Sequence, residues 1–358
     1  MESASQPLLD WYDRHARRLP WRVPPADSRN GVRPDPYHVW LSEVMLQQTT
    51  VAAVKAYFEA FLARWPRLED LAAASQEDVL KAWAGLGYYS RARNLKKCAD
   101  TVVREFGGAF PQTQAELKTL PGIGDYTSAS IAAIAFGERA AVVDGNIERV
   151  ITRLLAEETP LPAAKTLCRQ EMDRLTPGDR PGDFAQAMMD LGATICTPKR
   201  PACALCPLRP TCRGHALGIA DTLPRKAPKK AKPLRRGAAF VAIRKDGSVW
   251  LTKRADAGLL GGMSGPPTSD WSAAQDGATD ESAAPFEAAW RDVGRIQHTF
   301  THFQLELVVF VAKDAAPVEP GDGWWSAPGN LPDEALPTVM KKSLSAAIPD
   351  AFKRKRAP

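Results

Sequence analysis

Four of the six cysteines lie close together in the 358-residue chain and could bind a metal. They follow the spacing C-x6-C-x2-C-x5-C and are Cys196, Cys203, Cys206 and Cys212. Prolines at positions 198, 201, 207 and 210 predict an extended loop that can wrap the thiolates around one centre. Four thiolates suit either zinc or an iron-sulfur cluster. Structural zinc sites more often pair two short C-x2-C motifs, and only one occurs here, so the spacing favours a 4Fe-4S cluster.

A glycine-rich turn is the second candidate site. Leu120-Pro121-Gly122-Ile123-Gly124 follows a helical stretch that ends near Thr119 and precedes another over 125–136. The glycines leave backbone N–H groups exposed at a helix N-terminus, a geometry that holds a phosphate without reading base sequence. The turn therefore indicates binding of a DNA backbone, with an ordinary tight helix–helix turn as the alternative.

Both groups lie in a region whose pattern predicts an all-helical domain. From Leu8 to about Gly218, apolar residues recur at three- and four-residue spacing, without strand-like alternation. The clearest segments are Val39–Trp65, Glu77–Ala84, Arg91–Phe106 and Gly145–Leu155. Glycine and proline turns separate them and must bring the candidate residues together.

A basic, proline-containing segment separates this region from a different one. Residues 221–237 include seven cations and no acid between Arg225 and Arg236, so we predict an extended linker. Beyond it, 238–243 and 249–253 flank Asp246-Gly247, a hairpin signal, while 268–284 is polar and predicted to be irregular. The predicted organisation is a helical domain over 1–220, the linker, and an α+β domain over 238–358.

Composition and charge limit the class of protein. With 44% hydrophobic and 25% charged residues, the chain can form two folded cores, which excludes a disordered or collagen-like protein. The sequence contains no run of eighteen apolar residues and no signal-peptide pattern, so we expect a cytoplasmic monomer without membrane contact. The net charge of +6 comes from the linker, and it supports nucleic-acid binding only weakly.

Several motifs resemble those of a known family in their order and spacing. The glycine turn, the segment Val142–Asn146 and the cysteine loop (196–212) together resemble the helix-hairpin-helix base-excision glycosylases. Within that superfamily, Ser42–Thr49, Gly85–Arg93 and Gln186–Gly192 resemble the MutY adenine DNA glycosylases. The resemblance covers residues 8–213 and implies an all-α helix-hairpin-helix glycosylase domain that holds a 4Fe-4S cluster.

Two carboxylates are the candidates for catalysis. Cleaving an N-glycosidic bond requires protonation of the leaving base and stabilisation of the sugar cation. Glu43 lies in an apolar pattern, where desolvation raises a carboxyl pKa, and Asp144 precedes a predicted helix that it could simply cap. The resemblance implies that Glu43 protonates N7 of adenine. It implies that Asp144 stabilises the oxocarbenium ion, with a covalent sugar adduct as a further option.

Tyr126 separates two chemistries. Endonuclease III-like enzymes carry a lysine at the matching position, which forms a Schiff base with the sugar, and a phenol cannot do this. We therefore predict a monofunctional glycosylase that removes a base without efficient strand cleavage. The resemblance implies that Tyr126 supports the catalytic glutamate and that Asn146 helps to hold the water and Asp144.

The resemblance also implies which residues reach the base, because an enzyme must extrude a base from a duplex before it can act on it. It assigns intercalation to Gln48 and Tyr88 and contacts with the opposite base to Thr49 and Leu86. Without the resemblance, Gln48 would be an ordinary polar helix residue and Tyr88 a core aromatic residue. Residues that match the adenine pocket are Trp21, Arg22 and Gln186, and the loop between Arg22 and Tyr37 is longer than the family usually has.

The C-terminal region resembles the Nudix-like domain with which MutY proteins recognise 8-oxoguanine opposite adenine. Residues 277–295 lack the clustered glutamates of a hydrolase, so we expect binding without hydrolysis. Phe300-Thr301-His302 matches the lesion-reading loop, in which the family usually has Phe-Ser-His, and threonine keeps the hydroxyl group. The alternative is a plain strand. The segment 258–267 departs from the family's usual aromatic-bearing version.

These observations predict an adenine DNA glycosylase of base excision repair that acts on adenine paired with 8-oxoguanine or guanine in duplex DNA. One alternative is an endonuclease III-like pyrimidine glycosylase with lyase activity, which Tyr126 and the second domain disfavour. The other is an iron-sulfur DNA-binding protein without catalysis.

Overall fold

A computed structural model describes residues 4–228, 231–256, 258–315 and 323–352. These residues divide into two compact units. Of the described residues, the first unit contains 4–73 and 94–228, and the second contains 74–93 and those between 231 and 352. No helix in the described ranges has the length and apolar character needed to cross a bilayer.

The helical part of the chain is a series of mostly short helices. In chain order the helices are α1 (Ser5–His15), α2 (Pro25–Arg29), α3 (Pro36–Leu46), α4 (Val51–Arg64), α5 (Leu68–Ala73), α6 (Gln76–Trp83), α7 (Ser90–Phe106), α8 (Gln114–Leu117), α9 (Asp125–Ile131), α10 (Gly145–Leu155), α11 (Lys165–Leu175), α12 (Pro181–Thr194) and α13 (Arg213–Ala216). A π-helical turn, Ala132–Phe136, extends α9 and ends at Gly137, which has a φ of 76°. Such turns inside helices are frequent at functional sites.

Close packing of α12 shapes the core of the first unit. Its buried residues meet those of α1 and α10, including Leu8, Ile151 and Met188. A Cβ at Gly192 would lie 2.7 Å from the Cβ of Asn146, so the short distance between α12 and the start of α10 requires glycine. The helix pair therefore fixes where the first turn of α10 lies.

The predicted segment Val39–Trp65 is two helices rather than one. The chain leaves the helical conformation at Gln47, and Gln48 adopts a φ of 58°. Thr50 then caps α4 by accepting a hydrogen bond from the Ala53 N–H at 3.4 Å. No glycine or proline marks this break, so the periodicity of the segment predicts a single helix. The break places the Gln48 side chain on an exposed turn.

The second unit contains a mixed β-sheet. Its strands are β1 (Leu234–Ile243), β2 (Val249–Lys253), β3 (Ser264–Gly265), β4 (Arg291–Thr299), β5 (Gln304–Lys313) and β6 (Gly323–Ser326). The order is β3-β2-β1-β5-β4, β6 pairs with β2, and β1 and β5 run parallel from Leu234↔Gln304 to Ile243↔Lys313. The predicted β1–β2 hairpin is present with Ile243 paired to Val249, so its loop is longer than two residues.

The two faces of this sheet are covered by different kinds of structure. Helix α14 (Thr338–Ala347) contributes Val339, Met340 and Leu344 to the core on one face. The other face is covered by Trp290 and Phe286 from a segment, 266–290, that contains no α-helix. The irregular middle that the sequence predicted is therefore observed.

Candidate active site

One cavity in the first unit gathers most of the candidate catalytic residues. It has a volume of about 990 Å³ and is lined from α3, α9, α10 and α12 and the turns beside them. Nine predicted site residues line it: Trp21, Arg22, Glu43, Gln48, Thr49, Tyr126, Asp144, Asn146 and Gln186. The volume falls in the range of ligand-binding clefts.

Glu43 is a buried carboxyl group on the cavity wall. Helix α3 is buried along most of its length, and Glu43 is only 6% exposed. Burial raises its pKa, and the Asp144 charge reinforces this increase, while the hydroxyls of Tyr126 and Ser130 and the cation of Arg22 oppose it. Its Oε2 makes no hydrogen bond with another described residue. The group is thus suited to carry a proton and to donate it to a molecule in the cavity.

Asp144 caps α10 and faces the same cavity. Its Oδ1 accepts a hydrogen bond from the Ile147 N–H at 2.7 Å, and its Oδ2 accepts one from Asn146 Nδ2 at 2.8 Å. Burial raises its pKa, and these hydrogen bonds together with the Arg149 charge oppose that increase. Capping therefore fixes the carboxylate in place while it lines the cavity, so the two roles considered for this residue are compatible.

Asn146 is itself held by Arg149. The Nη2 of Arg149 donates to Asn146 Oδ1 at 3.0 Å and to the Gly192 carbonyl at 2.6 Å, and its Nε donates to the Cys196 carbonyl at 2.8 Å. The amide of Asn146 therefore turns its nitrogen toward Asp144.

Tyr126 lies on α9 beside both carboxyl groups. Burial raises the pKa of its phenol well above the ordinary value, and the charges of Glu43 and Asp144 reinforce this increase. The phenol consequently stays neutral and can donate a hydrogen bond to Glu43. No amine occupies this position.

The rest of the cavity wall combines aromatic and cationic side chains. Trp21 packs edge-on against Phe58, with ring centroids 5.2 Å apart. Arg22 Nη1 donates to both oxygens of Asp190, at 2.9 and 2.8 Å, and Gln186 is buried on α12. The longer loop after Arg22 contains α2 and leaves Arg22 on the cavity wall.

The glycine turn lies apart from the cavity lining. Gly122 has a φ of 77°, and a Cβ there would lie 2.6 Å from the Cβ of Asn94, so both conformation and space require glycine. Gly124 is the N-cap of α9, where a Cβ would meet nothing within 4 Å. Backbone at this turn is exposed, as a phosphate contact requires.

The four clustered cysteines line a second, smaller cavity in the first unit. Arg153 is buried beside them and donates from Nη1 to Cys196 Sγ at 3.2 Å. In the described ranges, no three His, Cys, Asp or Glu side chains converge closely enough for a single metal ion. Four cysteines that line one small cavity are a donor set suited to a metal centre, either zinc or an iron-sulfur cluster.

The segment Phe300-Thr301-His302 is the tip of the β4–β5 hairpin. The Phe300 N–H donates to the Phe303 carbonyl at 2.9 Å, and the two rings stack with centroids 4.6 Å apart. Trp271 lies 6.2 Å from Phe300, while Thr301 and His302 are exposed. The tip therefore holds two exposed polar side chains above a pair of stacked phenylalanine rings.

Two further predicted DNA contacts, Leu86 and Tyr88, lie in the second unit on the turn between α6 and α7. Tyr88 has a φ of 50° and is 47% exposed, and its Oη lies 3.2 Å from Thr301 Oγ1. Leu86 is only 7% exposed. The turn thus presents its tyrosine and buries its leucine.

Comparisons with known proteins place the chain in a family. The model of the HhH-GPD superfamily of base excision DNA repair proteins matches residues 41–175, and a NUDIX domain model matches 238–346. Human adenine DNA glycosylase is 36% identical over 94% of this chain and 72% of its own length. The chain belongs to the adenine DNA glycosylase family. The mouse relative is also 36% identical, over 94% of this chain and 76% of its own length.

A solved structure supports the fold of the first part of this family member. A thermostable thymine-DNA glycosylase superposes with a TM-score of 0.52 at 30% identity, covering 60% of this chain and 95% of that one. The predicted MutY-type family and the fold class, a helical glycosylase followed by an α+β Nudix-like domain, are thus confirmed. The protein is a DNA glycosylase of the base-excision type.

Sequence reading gave no role to several residues that build this glycosylase cavity. Asp190 is fully buried and binds both Arg17 and Arg22. Its position four residues after Gln186 in α12 was the available signal, since such residues share a helix face. Arg149 carried no signal, because two of its acceptors are the backbone carbonyls of Gly192 and Cys196, which lie far away in the sequence.

Proposed function

We propose that this glycosylase excises adenine paired with 8-oxoguanine or guanine in duplex DNA. The observation that carries the proposal is the pair of carboxyl groups, Glu43 and Asp144, on the wall of one cavity large enough for a purine. Human and mouse relatives named adenine DNA glycosylase support this base specificity.

In the proposed mechanism, Glu43 donates its proton to N7 of the extruded adenine. Protonation makes the base a neutral leaving group, and its bond to C1′ of the sugar breaks with the electron pair going to the base. The sugar becomes an oxocarbenium ion, which the anionic Asp144 stabilises. A water then adds to C1′ and returns its proton to Glu43, so adenine and an abasic site are the products.

The surrounding residues have supporting roles in this proposal. Asn146 holds Asp144 through the hydrogen bond described above, and Tyr126 orients the Glu43 carboxyl. With a phenol instead of a lysine amine at position 126, no Schiff base forms there, so we propose that the enzyme is monofunctional. Adenine is held by Trp21, Arg22 and Gln186.

We further propose how the protein engages its substrate. Exposed Gln48 and Tyr88 wedge the duplex and Thr49 lies near the opposite base, while the backbone at Gly122 and Gly124 binds phosphates. Leu86, which is 7% exposed in the unbound protein, is the second proposed contact with the opposite base, beside Thr49. Thr301, His302 and Phe300 at the hairpin tip read 8-oxoguanine.

Cys196, Cys203, Cys206 and Cys212 would hold a 4Fe-4S cluster, which would brace the loop 196–212. Purified protein should contain about four iron and four sulfide ions per chain for such a cluster. One zinc ion with no sulfide would instead support a zinc site with four thiolate ligands.

The deciding experiment is single-turnover base release from duplexes carrying A:8-oxoG, A:G or a pyrimidine lesion. Wild-type protein should release adenine without cutting the strand. Asp144→Asn should bind the same duplex and lose about 10²–10³-fold in rate, because the amide keeps the helix cap but not the charge. Pyrimidine release with strand cleavage would favour an endonuclease III-like activity, and binding without release would favour a non-catalytic protein.

A further inference from the structure

Three cationic side chains line the active cavity, and they differ in their ion-pair partners and in their exposure to solvent. Arg17 and Arg22 both bind the fully buried Asp190, through an Arg17 Nε–Oδ1 distance of 2.6 Å and an Arg22 Nη1–Oδ2 distance of 2.8 Å. Their side chains are 26% and 7% exposed. This pair is therefore tied to the interior of the first unit.

Lys165 is the third cation and lies at the first residue of α11. Its side chain is 58% exposed, and its Nζ is 3.0 Å from Oε1 of Glu148, which is 12% exposed. An ammonium group has three donors, and Glu148 is its one ion-pair partner among the residues described. Lys165 therefore combines exposure to solvent with donors for a further anion.

The position of Glu148 relates this ion pair to the chemistry. Glu148 follows Asp144, the N-cap of α10, by four residues and lies in the first turns of that helix, and both side chains line the cavity. When C1′ of a nucleotide lies at Asp144, the phosphates joined to the same sugar are the groups that can reach the next turn. That turn presents a carboxylate, which would repel a phosphate unless a cation stood between them.

We propose that Lys165 binds a backbone phosphate that flanks the extruded nucleotide and that Glu148 holds the ammonium in place for it. The proposal rests on the proposed function, since it assumes that the sugar enters the cavity at Asp144. Lys165 is then a positioning residue: it binds DNA and takes no part in proton transfer or in cleavage of the glycosidic bond.

The test measures the salt dependence of binding to an A:8-oxoG duplex, in an Asp144→Asn background that keeps the base intact. Each phosphate neutralised by a cation contributes about 0.9 to the slope of log K against log salt. Lys165→Met should therefore reduce the slope by about one and weaken binding about 10-fold at low salt, while Lys165→Arg should keep the slope. Glu148→Gln, whose amide oxygen can still accept a hydrogen bond from the ammonium group, should leave the slope unchanged.

Single-turnover excision at saturating enzyme supplies the second readout. With Asp144 restored, Lys165→Met should release adenine within about three-fold of the wild-type rate, because it changes only binding. An unchanged salt slope, or a large rate loss with normal binding, would overturn the proposal.

The double variant Lys165→Met/Glu148→Gln distinguishes the loss of a phosphate contact from repulsion of DNA by an unpaired Glu148 carboxylate. If the phosphate contact is real, the double variant keeps the reduced slope. A return to the wild-type slope and affinity would show that unpaired Glu148 caused the loss, and the proposal would fail. A reduced slope in a protein that releases no adenine would retain the phosphate contact and reject the proposed function.

Discussion

The active cavity buries its polar groups, whereas the tip of the β4–β5 hairpin exposes them to solvent. In the cavity, Asp144 is fixed by two hydrogen bonds and Glu43 is buried in an apolar helix. At the hairpin, Thr301 and His302 are exposed beside the stacked rings of two phenylalanines. A general acid needs burial to hold its proton, whereas a reader of an opposite base must remain accessible. We therefore expect cavity variants to change the rate of base release and hairpin variants to change the preference between mispairs.

The largest effect is expected from Glu43→Gln, which removes the proposed acid from the cavity. Loss of a general acid should lower the single-turnover rate constant by about 10²–10⁴-fold while DNA binding persists. In the wild type, burial raises the Glu43 pKa, so the acid stays protonated further toward neutral pH, and the rate should fall as pH rises through that pKa. The rate should also fall in acid, where Asp144 becomes protonated. An alkaline limb that persists in Glu43→Gln would assign that limb to another group.

A smaller effect is expected from Gly192→Ala, which tests whether the cavity depends on close helix packing. The added Cβ would lie 2.7 Å from the Cβ of Asn146 and must displace it, and such overpacking costs about 1–3 kcal/mol. Because Asn146 orients Asp144, we expect about a 10-fold lower excision rate together with a lower melting temperature. Gly178→Ala is the matched control, since its Cβ would meet nothing within 4 Å. Equal effects of the two variants would contradict a specific role for the Gly192 contact.

The smallest effect is expected at the hairpin, from Thr301→Val. This change keeps the shape and removes the hydroxyl, and one net hydrogen bond is worth about 0.5–1.5 kcal/mol. We expect the preference for A:8-oxoG over A:G to fall about 3–10-fold while the A:G rate stays near wild type. Thr299→Val, on the exposed end of β4, should leave the preference unchanged. A loss on both mispairs would instead make Thr301 a general DNA contact.

The sequence predicted the secondary-structure elements better than the contacts between them. The helical pattern of α7 and α10 and the irregular 268–284 segment followed from periodicity and composition. The parallel pairing of β1 with β5 did not, because residues about seventy positions apart form it and no local signal encodes it. The turn at Gln48 also left no mark in the helical periodicity, since a non-glycine residue with positive φ has no distinctive sequence.

For the candidate site, the resemblance supplied what spacing alone could not. Glu43 and Asp144 are a hundred residues apart, and either acid could have been an ordinary surface or capping residue. Only family motifs suggested that they act together, and the structure places both on one cavity. Asp190 and Lys165 were not predicted, because their ion-pair partners, Arg17 and Arg22 for Asp190 and Glu148 for Lys165, lie elsewhere in the sequence and leave no periodic pattern.

The covering of the sheet by residues 266–290 affects how this family member can vary. Trp290 packs against Phe240 with ring centroids 5.3 Å apart, and its indole N–H donates to the Phe286 carbonyl at 3.0 Å, so two aromatic residues cover this face while α14 covers the other. A strip without internal periodicity can gain or lose residues between such aromatic residues without shifting a hydrophobic stripe out of register. Natural length variation in the C-terminal domain should therefore collect in this strip, while the two aromatic positions persist.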